Sequence, residues 1–194
     1  MWHRYKTGCD RAVLEERVDL AAELSVLVVR DSGGAVVTYD AAENIHHDHI
    51  LDLSIVPARL PDGLLEDAAG IAVEVAAALD YVGLLAVEFF LAGDGRLLVN
   101  EMAPRPHNSG HHTLDACETS QFEQQLRAVC GIPLGSPRLM QPAVMWNLLG
   151  DLWIDETTPP DWSPVLATPG ATLHIYGKNA ARKGRKMGHV TFTA

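Results

Sequence analysis

Two glutamates carry the first chemistry that can be read from this sequence. Asp94-Gly95 lies between two apolar runs, residues 84–91 and 97–99. That pair favours a two-residue type I′ hairpin, because both central residues must take positive φ. With those two residues as the loop, Gly93 faces Arg96, and counting outward sets Glu88 opposite Glu101. Directly opposed residues share a face with Cβ atoms about 4.5–5.5 Å apart, where like charges repel. The neighbours Leu85, Val87, Phe89, Leu97 and Val99 are apolar. An acidic pair in such surroundings needs a cation or a shared proton. One or two carboxylates plus substrate phosphates is the usual magnesium arrangement, so one reading has Glu88 and Glu101 holding Mg2+ against a nucleotide. The other reading has both side chains in solvent on an open sheet face, and a three-residue loop at 93–95 would shift the pairing.

The stretch after Glu101 reads Ala103-Pro-Arg-Pro-His-Asn-Ser-Gly-His-His-Thr113. Its prolines stiffen the backbone, its turn amides suit an anion-binding concavity, and Arg105 suits a bidentate contact to phosphate or carboxylate. The plain alternative is a polar surface loop. Lys178, Arg182, Lys183, Arg185 and Lys186 crowd near the C-terminus of a chain whose net charge is -10. A cationic island on an acidic protein suggests a small anion such as a phosphate, the alternative being a solvated turn. His46, His47 and His49 have no helical spacing and read as a loop, so a histidine contact to a nucleotide is favoured over a transition-metal site.

The elements that must position these groups follow from periodicity. Residues 24–30 read as a strand, Asp31-Ser-Gly-Gly34 as a turn and 35–39 as the returning strand. Leu65, Ala68, Ala72, Val75 and Leu79 make one face of a helix over 61–79, with Pro61 in its first turn. Residues 84–90 and 96–102 are the hairpin strands. Ser120 and Glu123 resemble a capping box ahead of a helix ending near Cys130, and Gly131 suits its C′ position. Residues 132–141 are rich in breakers, and the remainder reads mainly as β. The expected class is α+β with antiparallel hairpins, divided into 1–136 and a small β-rich domain at 137–194.

Composition excludes several functions. The acidic balance, 15 Lys and Arg against 25 Asp and Glu, disfavours a phosphate-backbone binder, so nucleic acid is not an expected partner. No run of about 18 apolar residues is present, so no membrane span is expected. No signal peptide is apparent, so a cytoplasmic setting is expected. Three cysteines, with no C-x-x-C spacing, argue against a disulfide framework or a structural zinc site.

Five blocks, in order and spacing, resemble N5-carboxyaminoimidazole ribonucleotide synthetase: Glu101-Met-Ala-Pro-Arg-Pro-His-Asn-Ser-Gly-His111, Ser120-Gln-Phe-Glu123, Asn147-Leu-Leu-Gly150, Tyr176-Gly-Lys178 and Gly184-Arg-Lys-Met-Gly-His189. The resemblance implies the ATP-grasp fold. It also implies a reaction in which ATP phosphorylates bicarbonate to carboxyphosphate and aminoimidazole ribonucleotide takes up the carboxyl group. Glu88 and Glu101 then correspond to Mg2+ ligands, Glu15, Glu16, Arg17 and Val18 to the adenine hinge, and Glu23 to the ribose acceptor. His46 and Asn100 correspond to further nucleotide contacts. Arg105, His107 and Asn108 fall in the substrate and carboxyphosphate pocket, and Lys178 and Arg185 correspond to the residues on the ribonucleotide phosphate. A homodimer is the implied assembly. The family's phosphate loop, Gly-Tyr-Asp-Gly-Lys/Arg-Gly, is met here by Gly8-Cys-Asp-Arg-Ala12, which lacks the glycines a close backbone approach requires. Family members carry a further domain N-terminal to this region. The implied chain is therefore the C-terminal half, working as that ligase or persisting as a nucleotide-binding or dimerisation piece.

Overall fold

The computed structural model describes residues 15–194. The reading of residues 8–12 as a phosphate loop therefore lies outside the described residues. The centre of the fold is β1 (Leu20–Arg30), whose residues 24–29 are all buried. It pairs antiparallel with β5 (Gly83–Ala92) on one side and with β2 (Val36–Thr38) and β3 (Ala42–His47) on the other. A strand run this apolar needs cover on both faces. Leu24, Val26 and Val28, with Leu85, Val87 and Phe89 of β5, pack beneath helix α1 (Asp62–Ala78). Leu27 and Val29, with Leu84 and Ala86, form a second cluster reached by Ala128 of helix α3 (Gln121–Val129). The period-2 alternation thus assigns odd-numbered β1 residues, Glu23 and Ser25 included, to the face opposite α1.

Helix α1 sits close to the sheet because its buried stripe is Ala68, Ala72 and Ala76, flanked by Leu65 and Val75. Pro61 takes the N-cap position rather than the first turn, and Leu79, expected on the apolar face, is the exposed C-cap. At α3 the Ser120 hydroxyl accepts from the Glu123 amide at 3.2 Å. The Glu123 carboxylate does not close the box; it accepts from Arg127 one turn on. Gly131 takes φ of +67° at the C′ position, as glycine readily can.

The β5–β6 hairpin departs from expectation twice, and the departures cancel. Its loop has three residues: the Ala92 amide donates to Arg96, the Gly95 amide donates to Ala92, and Gly95 takes φ of +87°. This sets Leu91 opposite Leu97 and Phe89 opposite Val99 in β6 (Leu97–Ala103), one residue off the two-residue count. A β-bulge at Asn100 then inserts one extra residue, and Glu88 faces Glu101 after all. Had the register run on unbroken, Glu88 would face Asn100 and Glu101 would turn to the α1 side.

The histidines at 46–49 do not form a loop. His46 and His47 end β3, Asp48 and His49 make a two-residue turn with φ of +48° and +63°, and β4 (Ile50–Val56) returns. The strands β7 (Ala143–Leu149), β8 (Ala171–Ile175) and β9 (Lys186–Thr193) extend the same sheet, with β7 pairing to β4. The order is β6-β5-β1-β3-β4-β7-β9-β8, nine strands with β2 beside β1. Two four-residue helices, α2 (Thr113–Ala116) and α4 (Ser163–Leu166), lie in the connections. Among the described residues no helix is long and apolar enough to cross a membrane.

Candidate functional site

On the sheet face opposite α1, a cavity of about 480 Å3 opens between the β3–β4 turn, the paired glutamates and the basic segment. Glu88 and Glu101, His46, His107, Lys178 and Lys186 all border it. Glu88 is largely buried and Glu101 is open to solvent. His107 Nε2 lies 2.9 Å from Glu88 Oε1. Burial pushes the Glu88 carboxyl up, but the hydrogen bond from His107, with His46 and Lys186 nearby, outweighs it and holds the group below the usual range. Glu88 is therefore an anion with one oxygen engaged. Facing it, Lys186 is half-buried; burial lowers its ammonium and the nearby Lys178 and Arg105 lower it further, while Glu88 opposes.

The basic segment is divided by the fold. Lys178 reaches the cavity and donates to the Lys186 carbonyl, and burial with the nearby Arg185 lowers its ammonium. Arg182 and Lys183 are exposed. Arg185, near Lys178, donates to the Ala180 carbonyl at 2.6 Å, and its side chain is not among those bordering the cavity. Lys186, which spacing alone did not single out, takes the inward place because β9 begins there.

The 103–113 loop is held from below by Gln121, which is fully buried. Its Oε1 accepts from the His107 amide at 2.8 Å, and its Nε2 donates to the His107 carbonyl and lies 2.9 Å from His111 Nδ1. Gly110 fits against Leu27 and Gln121, where a Cβ would lie 2.7 Å from Gln121 Oε1. Asn108 lies in a 3-10 turn with its amide nitrogen buried and unpartnered. Arg105 is exposed and donates to the Pro106 carbonyl. Gln121 lay inside a recognised block, yet nothing in its spacing marks it as the clamp; its burial at the start of α3 does.

The hinge residues lie apart from this cavity. Glu16, Arg17 and Val18 border a separate cleft with Gly93, Asp94 and Arg96 at the hairpin end, and Glu15 is exposed. Between the two, Glu23 and His46 share a shallow depression, His46 Nδ1 lying 3.1 Å from Glu23 Oε2 without hydrogen-bond alignment. Asn100 is the exposed bulge residue.

Asp115, His174 and His189 also converge, with ligand-type atoms within 4.8 Å of one another. Asp115 bonds His174 Nε2 at 2.9 Å, and the Tyr176 hydroxyl lies 2.8 Å from His189 Nδ1. The two imidazoles stack at 4.4 Å with an interplanar angle of 16°. Stacked rings direct their lone pairs along parallel planes, so this group fastens α2 to β8 and β9 rather than closing on one point.

Known proteins are similar in sequence and fold. The ATP-grasp domain family matches residues 1–122, and the phosphoribosylaminoimidazole carboxylase C-terminal domain family matches residues 143–194. The N5-carboxyaminoimidazole ribonucleotide synthase of Bacillus subtilis (strain 168) is 57% identical over 180 residues, 93% of this chain and 46% of that relative. The crystal structure of the synthetase from Thermus thermophilus superposes with a TM-score of 0.83 at 47% identity, covering 92% of this chain and 47% of that one. The synthase from Aspergillus clavatus, solved with ADP and 5-aminoimidazole ribonucleotide, gives a TM-score of 0.84 at 36% identity, covering 92% and 48%. The chain spans about half the length of the curated relatives it matches. The chain belongs to the ATP-grasp family, and its C-terminal stretch matches the phosphoribosylaminoimidazole carboxylase C-terminal domain family.

Proposed function

We propose that this chain supplies the phosphate and acceptor side of an ATP-dependent carboxylation of 5-aminoimidazole ribonucleotide with bicarbonate. The observation that carries the reading is the pairing of Glu88 with Glu101 on one face, at a cavity whose other wall is Lys178 and Lys186. The donor set fits Mg2+: two hard carboxylates, one of them held ionised and already oriented by His107. When bound, the ion would neutralise phosphate charge during phosphoryl transfer. Lys178 and Lys186 would hold anionic groups of bicarbonate and substrate, and Arg105, exposed nearby, would close over them. Asn108 offers an unpartnered amide, and Arg185 supports the loop between the lysines.

Adenine is assigned to the cleft at Glu15, Glu16, Arg17 and Val18, ribose to Glu23 with His46, and phosphates to the glutamates with Asn100 beside them. The shallow depression at Glu23 shares Asn44 and His46 with the cavity at the glutamates, which supports a nucleotide reaching from one to the other. We also propose a division near residue 136 between the nucleotide-binding and acceptor-binding parts, a homodimeric assembly and a cytoplasmic setting.

The test is phosphate release from ATP with bicarbonate, with and without aminoimidazole ribonucleotide. Acceptor-dependent release is expected, and Glu101→Gln is expected to abolish it together with Mg2+-dependent ADP binding. Nucleotide binding without release would reduce the chain to a binding piece. An unaltered Mg2+ requirement in the variant would refute the carboxylate assignment.

A further inference from the structure

Beneath the cavity runs a buried line of four polar side chains with no part in the mechanism above. The Ser54 hydroxyl donates to Asn44 Oδ1 at 2.9 Å, Asn44 Nδ2 donates to Ser25 Oγ at 2.9 Å, and Ser25 Oγ donates to Ser109 Oγ at 2.8 Å. Ser109 Oγ lies 2.9 Å from His107 Nδ1, whose other nitrogen faces Glu88. All four side chains belong to buried residues, Ser54 completely so. We propose that Ser54, Asn44, Ser25 and Ser109 are positioning residues, forming a one-way hydrogen-bond relay that fixes the His107 proton on Nε2 and so presents an N–H to Glu88.

The direction is forced from both ends. A backbone N–H can only donate, and the Ser109 amide points at His107 Nδ1 from 3.4 Å. A carboxylate can only accept, and Glu88 faces Nε2. Nδ1 must therefore carry the lone pair and Nε2 the hydrogen. Ser109 then gives its hydroxyl hydrogen to Nδ1 and must receive one from Ser25. Ser25 in turn must receive from the only group of Asn44 able to donate, its amide nitrogen. That orientation leaves Oδ1 for Ser54, which supplies a hydrogen. Reversing any one bond would oblige two donors or two acceptors to meet in a buried space, where an unmade bond costs most. The line joins β4, β3, β1 and the 3-10 turn, so three strands register the ring of one histidine. The partner of the ring's second nitrogen sets its tautomer, as at other sites where a histidine must present one nitrogen.

The purpose of the relay rests on the reading of Glu88 as a cation ligand; its existence does not. The experiment is therefore done on the nucleotide- and metal-free chain, by long-range 15N–1H NMR of labelled protein. In the unmodified chain His107 Nδ1 is expected in the unprotonated range and Nε2 in the protonated range, with the Ser109 hydroxyl proton correlated to Nδ1. Asn44→Asp replaces the donating amide with a group that only accepts. The hydroxyls must then turn, and the Nδ1 signal is expected to move to the protonated range. A variant whose Nδ1 stays unprotonated overturns the relay. An unmodified chain whose Nδ1 carries its own proton overturns it regardless of how the variant folds. Loss of the Glu101→Gln phenotype would sink the proposed function and leave these spectra unchanged, so the two failures are distinguishable.

Discussion

Lowering the pH from about 7.5 to about 5 should cost this protein about 4 kcal/mol of stability, through two buried histidines. His112 and His189 are each 1% exposed. Burial pulls His112 down to about 4, against the Ser109 carbonyl, which favours its proton. Burial, with His111 and His174 nearby, pulls His189 down to about 3. Each keeps an Nε2 with no partner. In the unfolded chain both would titrate near 6.5. Between that value and the folded ones the unfolded state binds more protons, so stability rises with pH. It is fully present above about 6.5 and is lost as pH falls toward 4. At about pH 5 each site contributes a loss of about 2 kcal/mol, a large share of the 5–15 kcal/mol typical of a domain. His111, lowered to about 4 but partly open to solvent, adds less. Urea unfolding at the two pH values measures the difference. His112→Gln removes one titrating site, and the loss should fall by about half. An identical pH dependence in the variant and the parent would refute the reasoning.

Other perturbations have separate expected outcomes. Gly150→Ala drives a methyl into the Arg182 backbone, whose nitrogen would lie at 2.6 Å, and should cost about 1–3 kcal/mol in thermal or urea unfolding. Gln124→Ala strands the Gly135 amide and carbonyl, which Gln124 now holds at 2.9 and 2.6 Å, and should lower stability by about 1–3 kcal/mol. Arg59→Ala removes a two-pronged contact to Glu43, yet the Arg59 side chain is 64% exposed, so urea unfolding should show little loss and added salt should shrink the difference further.

What the sequence discloses depends on how local the cause is. Helices α1 and α3 were legible because apolar spacing and the Ser120 and Gly131 caps are local signals. The strands β3 and β4 were not, and β9 only as part of a stretch read mainly as β. His46 and His47 give β3 no apolar alternation at its end, Asp48-His49 is an uncommon turn pair, and the lysines and arginines before Met187 masked the start of β9. The hairpin shows a correct pairing reached through the wrong loop, because a bulge at Asn100 has no signature in residue type. At the site, Glu88, Glu101, His46, His107 and Lys178 do border one cavity. Lys186 was legible only as one of five crowded cations, and Gln121 not at all, because what distinguishes them is burial and register. Arg185 lies just before β9 and its guanidinium is engaged by the Ala180 carbonyl, a contact with no signature in residue type.

The seam between β4 and β7 has a mechanical consequence. Main-chain pairing from Leu53 with Trp146 to Val56 with Ala143 welds the two family-matched stretches into one slab. Glu88 and Glu101 ride on one wing of that slab and Lys186 on the other. The spacing of their backbones changes as the sheet flexes or twists, without a hinge between them. Gripping a ligand by swinging these wings together would require tearing ladder bonds, so the carboxylate-to-ammonium distance acts as a built-in gauge of what fits.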